Sequence, residues 1–197
     1  YFEEEISNEV NLSYSDNQVT VTTDYLTLVY TLNSEGYASQ CVYSLSSQNR
    51  IYQFSYSAEG YLTGIVENID DTEYSSTSLT YENGDITSIS SKMNGLENKF
   101  IYEPGEESST YHLPCLGLLE IHPLTFHIEA LYAGLLGKDP RHFTMHSCPA
   151  GSNDEKTVYS YGFDKKGNPS RMICQTTYAG GQASYYPYTR NISISFE

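Results

Sequence analysis

The chain has 197 residues, and 10 basic against 25 acidic side chains give it a formal net charge of −15. So acidic a chain lacks the basic surface that nucleic-acid phosphates and anionic lipid headgroups require, which excludes both as electrostatic partners. No apolar run reaches 18 residues, so no transmembrane helix is predicted, and the length predicts a single domain over residues 1–197.

Tyrosine–glycine units recur along the first half of the chain. Gly36, Gly60 and Gly84 follow one another at intervals of 24 residues, and each closes a short polar stretch that begins after a tyrosine. Glycine suits the left-handed backbone conformation that tight hairpin turns require. Gly105 and Gly167 follow tyrosines in the same way. The units therefore predict consecutive β-hairpins joined as an antiparallel meander.

The strand after a glycine carries apolar residues two and five positions beyond it in four of the units. These pairs are Ala38 and Cys41, Leu62 and Ile65, Ile86 and Ile89, and Pro169 and Met172. Residues three apart in a regular strand face opposite sides of the sheet. The two members of a pair therefore either point opposite ways or share one face through a β-bulge. Their recurrence favours a bulge beside each turn, and such bulges curl a sheet.

An insert at residues 106–150 interrupts this repeat and contains the one convincing helical pattern. Its apolar stripe consists of Leu124, Ile128, Leu131 and Leu135. With Pro123 at the first turn and Gly137 after the last, the stripe predicts an α-helix near 123–136 that packs on the sheet. The predicted fold is all-β: a curved antiparallel meander of about 10–12 strands, an incomplete or flattened barrel, with this inserted helix.

The insert also concentrates the residues that could carry chemistry. It contains all five histidines, His112, His122, His127, His142 and His146, together with Cys115 and Cys148. If the segment around His142, His146 and Cys148 were helical, these three side chains could share a zinc ion. The alternative is a loop whose histidines are solvated or pack under the helix. Cys115 and Cys148 could form a disulfide, Cys41 and Cys174 could form another, and free buried thiols are the alternative.

Two further clusters are candidate binding sites. An acidic group could hold calcium, but it lacks the glycine and closing glutamate of an EF-hand, and a solvated hairpin loop is the alternative; its members are Glu67, Asp70, Asp71 and Glu73. A tyrosine group near the C-terminal end could stack on sugar rings or grip a peptide; its members are Tyr178, Tyr185, Tyr186 and Tyr188. Hydrophobic packing on the outside of a sheet explains such tyrosines equally well.

The order of these segments resembles a known family. A hairpin meander, then "LEIHPLTFHIEALYAGLLGKDPRHF", then "YSYGFDKKGNPSRMIC" is similar to the Bacteroidetes secreted-lipoprotein domain of unknown function 4595, which has a porin-like β-fold. The hairpin repeats also resemble, more generally, the YD/RHS-type repeats of bacterial surface proteins. The family resemblance implies export to the periplasm or outer-membrane surface and a lipid anchor on a cysteine upstream of residue 1. It implies no known activity and supplies no functional residues.

From these observations we expect a non-catalytic cell-envelope module that binds a glycan, a peptide or an envelope protein through a tyrosine-rich surface and needs no cofactor. A second hypothesis is a hydrolase or metal-dependent enzyme that uses the histidines and cysteines of residues 112–148. A third is a structural or assembly protein, which would have no pocket.

Overall fold

The structure, a computed structural model, describes residues 10–23, 26–45, 48–108, 118, 121–152, 155–163, 165, 169–177 and 188–191. Within these residues, thirteen strands form one antiparallel sheet in which every strand pairs with its neighbours in sequence. The first and last described strands do not pair with each other, so the sheet stays open. The all-β meander is therefore confirmed, with one strand more than the upper end of the predicted range.

The strands alternate in direction between two ends of the sheet. They are β1 (Asn11–Ser15), β2 (Gln18–Thr22), β3 (Thr27–Leu32), β4 (Ala38–Leu45), β5 (Gln48–Tyr56), β6 (Leu62–Ile69), β7 (Thr72–Glu82), β8 (Asp85–Met93), β9 (Leu96–Ser108), β10 (His142–Pro149), β11 (Lys156–Phe163), β12 (Pro169–Thr177) and β13 (Tyr188–Asn191). Within the described residues, no helix has the length and apolar composition needed to cross a membrane.

The predicted turn glycines are confirmed at three positions. Gly36, Gly60 and Gly84 have φ angles of 85°, 91° and 90° in the turns that precede β4, β6 and β8. The prediction is wrong at Gly105, which lies inside β9, where a Cβ atom would collide with the side chain of Met145 on β10. Asn94 and Gly95, with φ of 53° and 77°, form the turn between β8 and β9 instead. Gly167 lies outside the described residues.

The predicted bulges are present beside the turns. One extra residue in each of β4, β6, β8 and β12 shifts the register directly after the residue two positions beyond the glycine. The apolar pairs of β4, β6 and β8 are consequently buried on one face, and so is Met172 of β12. The extra residues Ser39, Thr63 and Thr87 donate their hydroxyl groups to carbonyls of the preceding strands at 3.0, 3.1 and 3.2 Å. This repeated device curls the sheet around its buried face.

The predicted helix is present but much shorter than 123–136. A 3₁₀ turn covers Leu124–Phe126 and α1 covers Ile128–Tyr132, separated by His127, whose φ of −126° interrupts the helix. His127 leaves helical geometry while its side chain is fully buried among aromatic rings of the sheet, and Gly134 ends the helical segment with a φ of 71°. The predicted stripe still holds at Leu124, Leu131 and Leu135, which are buried against the sheet.

The interruption of the meander is also narrower than the predicted insert at 106–150. β9 continues to Ser108, and β10 begins at His142, which pairs with Ser108. The two margins of the predicted insert are therefore strands rather than loop or helix.

A seven-residue segment at 135–141, here named the strap, crosses the ends of three consecutive hairpins. Leu135 O accepts a hydrogen bond from Ala38 N (2.7 Å), while Lys138 N and Arg141 N donate to Gly60 O and Gly84 O (2.9 and 3.0 Å). Successive hairpins at this end of the sheet are two strand spacings apart, which is roughly 9.6 Å. Three extended residues of the strap span about 10 Å, nearly the same distance. The strap therefore meets one hairpin every third residue, which ties the repeating units together.

Candidate functional site

A fully buried carboxylate lies at the centre of the candidate site. Glu67 of β6 faces the covered side of the sheet, and its Oε1 accepts hydrogen bonds from Arg50 Nη1 (2.9 Å) and Tyr52 OH (3.2 Å). Its Oε2 accepts from Ser75 Oγ (2.9 Å) and lies 2.7 Å from His122 Nε2. We name these five residues the Glu67 cluster. It joins three neighbouring strands to residues 121–137, which pack over the sheet and are here named the covering segment.

The cluster keeps Glu67 ionised. Burial alone would raise the pKa of this carboxyl, but the hydrogen bonds and charge of its donors outweigh burial and hold the pKa below its usual value. Burial and the charge of Glu67 together raise the pKa of the Tyr52 hydroxyl. Four partners occupy the roughly four acceptor positions of a carboxylate. Glu67 is therefore not available as a metal ligand or as a general base.

Tyr74 stands beside this cluster because of a second kind of bulge. Glu67 pairs with Ser75 and Asn68 pairs with Glu73, which leaves Tyr74 as the extra, unpaired residue of β7. Bulges re-aim side chains in this way. The guanidinium of Arg50 lies 5.9 Å from the centre of the Tyr74 ring, and the His122 ring meets it edge-on at 6.4 Å. Both contacts come from residues that Glu67 holds in place.

The half-exposed Tyr74 forms one wall of an open cleft of about 500 Å³. We name it the Tyr74 cleft; its lining residues are Gln48, Ile69, Thr72, Glu73, Tyr74, Lys92, Asn94 and Gly95. They come from the ends of β5 to β8 and the turn that leads into β9. The lining combines an aromatic ring with two amides, a hydroxyl, a carboxylate and an ammonium group. Such a set can donate and accept hydrogen bonds in several directions beside one flat apolar surface.

The proposed zinc ligands do not have the helical geometry that the prediction required. His142, His146 and Cys148 lie on β10, a strand. His142 Nδ1 is 2.9 Å from Asp85 Oδ2, and His146 Nδ1 is 3.1 Å from Glu103 Oε2. In the part of the chain that the structure describes, no three histidine, cysteine, aspartate or glutamate side chains are close enough together to hold a metal ion. This also applies to the acidic group around Asp70, which was the candidate calcium site.

The cysteine predictions have two outcomes. Cys115 lies outside the described residues, so its disulfide with the half-buried Cys148 stays a prediction. Cys41 is a buried free thiol whose pKa burial raises to about 12. The second predicted disulfide, between Cys41 and Cys174, is therefore wrong, and at Cys41 the alternative of a free buried thiol is present. β4 and β12, which carry these two residues, are far apart in the order of the sheet.

The tyrosine group near the C-terminal end is largely untested. Tyr178, Tyr185 and Tyr186 lie outside the described residues, and Tyr188 begins β13 with a side chain that is not described.

Sequence reasoning missed Tyr74 and the role of Arg50. A signal was available in the strand phase: Glu67 alternates with Ile65 and Ile69, so it occupies a position that should face the core.

Ser75 and His122 do not form a catalytic pair of the serine-hydrolase kind. Ser75 Oγ lies 3.2 Å from His122 Nε2, the same nitrogen that contacts Glu67. In a catalytic triad the nucleophile and the carboxylate bind opposite nitrogens of the imidazole. Ser75 is also only 1% exposed, so a substrate has no access to its hydroxyl. These contacts hold His122 in place rather than activate a nucleophile.

His127 fills the centre of the covered face. Its Nδ1 is 2.8 Å from Tyr30 OH, and its ring stands edge-on to Tyr52 and Phe54 at centroid distances of 4.4 and 5.3 Å. Its Nε2 is buried without a hydrogen-bond partner. Burial lowers the pKa of His127 to about 3, so the imidazole is neutral at physiological pH.

The chain is similar to a known protein family and to a solved structure. A family model described as a domain of unknown function (DUF4595) with porin-like fold matches residues 2–171 of the chain. Among solved structures, the chain is similar to the crystal structure of a porin-like protein from Bacteroides uniformis ATCC 8492, with a TM-score of 0.85 and 27% sequence identity. That similarity covers 96% of this chain and 79% of the other. No curated protein matches the chain.

Proposed function

The chain belongs to the DUF4595 family of porin-like fold, as its sequence motifs predicted, and on that basis we propose that it is a non-catalytic cell-envelope module that binds a neutral saccharide in the Tyr74 cleft. The observation that carries this proposal is the bulge that turns the Tyr74 ring into a cleft lined with amide, hydroxyl and charged groups. The envelope location rests on the fold that the chain shares with the porin-like protein of Bacteroides.

The size and chemistry of the cleft favour a saccharide. A volume of about 500 Å³ lies within the roughly 300–1,000 Å³ range of small-molecule sites. A sugar offers one face of C–H groups, which can lie on an aromatic ring, and a rim of hydroxyls that both donate and accept hydrogen bonds. Tyr74 supplies the ring, and Gln48, Asn94 and Thr72 supply groups that serve as donor and acceptor at once.

The position of the cleft disfavours an extended peptide. Peptides that bind sheets usually add a strand to an unpaired edge, where backbone groups give the affinity. The strands beside Tyr74, from β5 to β8, are each paired on both sides. Their backbone donors and acceptors are therefore already used, and a ligand in the cleft must be recognised by side chains.

Screening the protein against an array of neutral oligosaccharides tests the proposal. We expect the native protein to bind members of the array, Tyr74→Ala to lose at least about tenfold in affinity, which corresponds to about 1.4 kcal/mol, and Tyr74→Phe to keep most of it. Tyr61→Ala is the matched control, because Tyr61 is also half-exposed but stacks on Tyr81 at the other end of the sheet. No binding across the array, or binding that Tyr74→Ala leaves unchanged, would refute the proposal.

A further inference from the structure

Two turns of the sheet have the same sequence and nearly the same backbone conformation. Asn83 and Gly84 join β7 to β8, and Asn94 and Gly95 join β8 to β9; these are the two Asn-Gly dipeptides of the chain. Both asparagines have a φ of 53°, and the glycines follow with φ of 90° and 77°. Both are therefore two-residue hairpin turns of type I′, and the backbone N–H of the glycine takes no part in the hydrogen bonds of the strand pair.

An asparagine that precedes glycine can lose ammonia without a catalyst. The backbone nitrogen of the glycine attacks the side-chain Cγ of the asparagine. The new C–N bond closes a five-membered succinimide ring, and the amide nitrogen leaves as ammonia with the proton of the glycine N–H. Water then opens the ring and yields aspartate, or isoaspartate where the original backbone C–N bond breaks. Glycine favours ring closure because it has no Cβ atom to obstruct the attack.

The strap holds the turn at Asn83 and Gly84 closed. Arg141 N donates a hydrogen bond to Gly84 O (3.0 Å), and Arg141 Nη1 donates to Asn83 O (3.4 Å). The side chains of Arg141 and Tyr61 also stand against the glycine, where a Cβ atom would lie 2.5 Å from Arg141 Cδ. Ring closure requires the asparagine to leave its turn conformation, so these contacts oppose the reaction.

The turn at Asn94 and Gly95 has no such cover from the described residues. It lies at the end of the sheet opposite the strap, and both of its residues are exposed. A Cβ atom at Gly95 would meet nothing within 4 Å. The flanking residues Met93 and Leu96 are themselves 38% and 73% exposed. A hairpin end with so few contacts opens more easily than one that is tied to a second segment.

We propose that Asn94 is a deamidation site of the folded protein, and that the strap protects Asn83 from the same reaction. Asn94 lines the Tyr74 cleft, so the reaction replaces a group that donates and accepts hydrogen bonds with a carboxylate that only accepts. The cleft already contains Glu73 and Lys92, and it would gain one negative charge. The inference does not rest on saccharide binding, because the reaction needs only the turn and water.

Peptide mapping of the full chain tests the proposal. The protein is incubated in mildly alkaline buffer made with oxygen-18 water and is then digested with trypsin in ordinary water. Trypsin cuts after Lys92 and Lys99 and releases Asn94 in a seven-residue peptide, whereas Asn83 stays in the peptide 51–92. We expect labelled aspartate and isoaspartate to form at position 94 at least about tenfold faster than at position 83, because the rate follows the fraction of time that each turn is open.

Two comparisons separate the effect of the fold from that of the local sequence. In protein unfolded by urea, neither turn exists, so Asn83 and Asn94 should react at similar rates. Arg141→Ala removes the side-chain contacts with Asn83 and Gly84, and it should raise the rate at Asn83. An unchanged rate at Asn94 in this variant shows that its fold is intact.

Three results would overturn the proposal. The first is an Asn94 that stays unmodified in the native protein. The second is an equal rate at Asn83 and Asn94 in the native protein, and the third is a difference between them that persists in urea. An unchanged rate at Asn83 in Arg141→Ala would overturn the protective role of the strap's side chain.

Discussion

Glu67 and His122 are 55 positions apart in the sequence, and Oε2 of the glutamate lies 2.7 Å from Nε2 of the histidine. The contact joins β6 to the segment that covers the sheet, and it brings the imidazole edge-on to Tyr74. This contact with a buried carboxylate thus connects the core of the fold to the wall of the Tyr74 cleft. We therefore expect a substitution that breaks this contact to lower both the stability of the fold and ligand binding in the Tyr74 cleft.

Removing the charge of Glu67 should strongly destabilise the protein. In Glu67→Gln, Arg50 loses its charged partner, and an NH₂ group replaces one of the two acceptor oxygens of the carboxylate. Breaking a buried pair in this way typically costs about 3–5 kcal/mol. Chemical denaturation measures the change in free energy of unfolding. Glu103→Gln is the matched control: that carboxylate, 62% exposed, contacts His146, and a surface pair contributes only about 0–1 kcal/mol. Equal losses in the two variants would contradict a special role for Glu67.

Acid should destabilise the protein well above the pH at which carboxylates titrate. His127 has a pKa of about 3 in the fold against 6.5 as its ordinary value, so between these values the unfolded chain binds the extra proton. Stability is complete above pH 6.5 and falls as the pH is lowered towards 3, by about 2 kcal/mol between pH 7 and pH 5. The lowered pKa of Glu67 adds a further loss below its ordinary value of 4.5.

Urea denaturation at pH 7 and pH 5 measures this dependence, and His127→Phe identifies its source. Phenylalanine can occupy the aromatic surroundings of His127 without taking up a proton. We expect the variant to lose much less stability than the native protein between the two pH values. An unchanged pH dependence in His127→Phe would show that other groups cause the acid sensitivity.

Two glycines of the covering segment should differ sharply when replaced by alanine. Gly134 and Gly137 have φ angles of 71° and 87°, so alanine is strained by about 1–2 kcal/mol at either position. A Cβ atom at 134 meets nothing within 4 Å, but one at 137 would lie 2.6 Å from the carbonyl oxygen of Gly60. Gly137→Ala should therefore also displace the strap and cost more than about 3 kcal/mol in total. Thermal unfolding of the two variants compares them directly, and equal melting temperatures would refute the close approach.

The repeating part of the fold was predictable because its signals are local. In each hairpin unit, the turn glycine and the bulged apolar pair that follows it, such as Gly60 with Leu62 and Ile65, lie within six residues. The same pattern recurs from one unit to the next. The length of α1 was not predictable in this way. It depends on His127, which leaves helical geometry where it packs against rings that are supplied by β3 and β5.

The Glu67 cluster was missed for a related reason. Its members come from β5, β6, β7 and the covering segment, and their meeting depends on the register of four elements. The single-residue bulge at Tyr74 decides that register, and no glycine marks it. A charged residue in the same strand phase as Ile65 and Ile69 was the available sign, but it does not identify the partners. The acidic group of the sequence was considered as a calcium site or a solvated hairpin loop, whereas one of its members, Glu67, is the buried centre of the cluster.

The most direct test of the Tyr74 cleft is an NMR titration of protein labelled selectively at its tyrosines, with the strongest saccharide from the array. We expect the ring signals of Tyr74 to shift in a saturable way, while those of Tyr61, at the opposite end of the sheet, stay in place. Saturable binding that leaves the Tyr74 signals unmoved would contradict it.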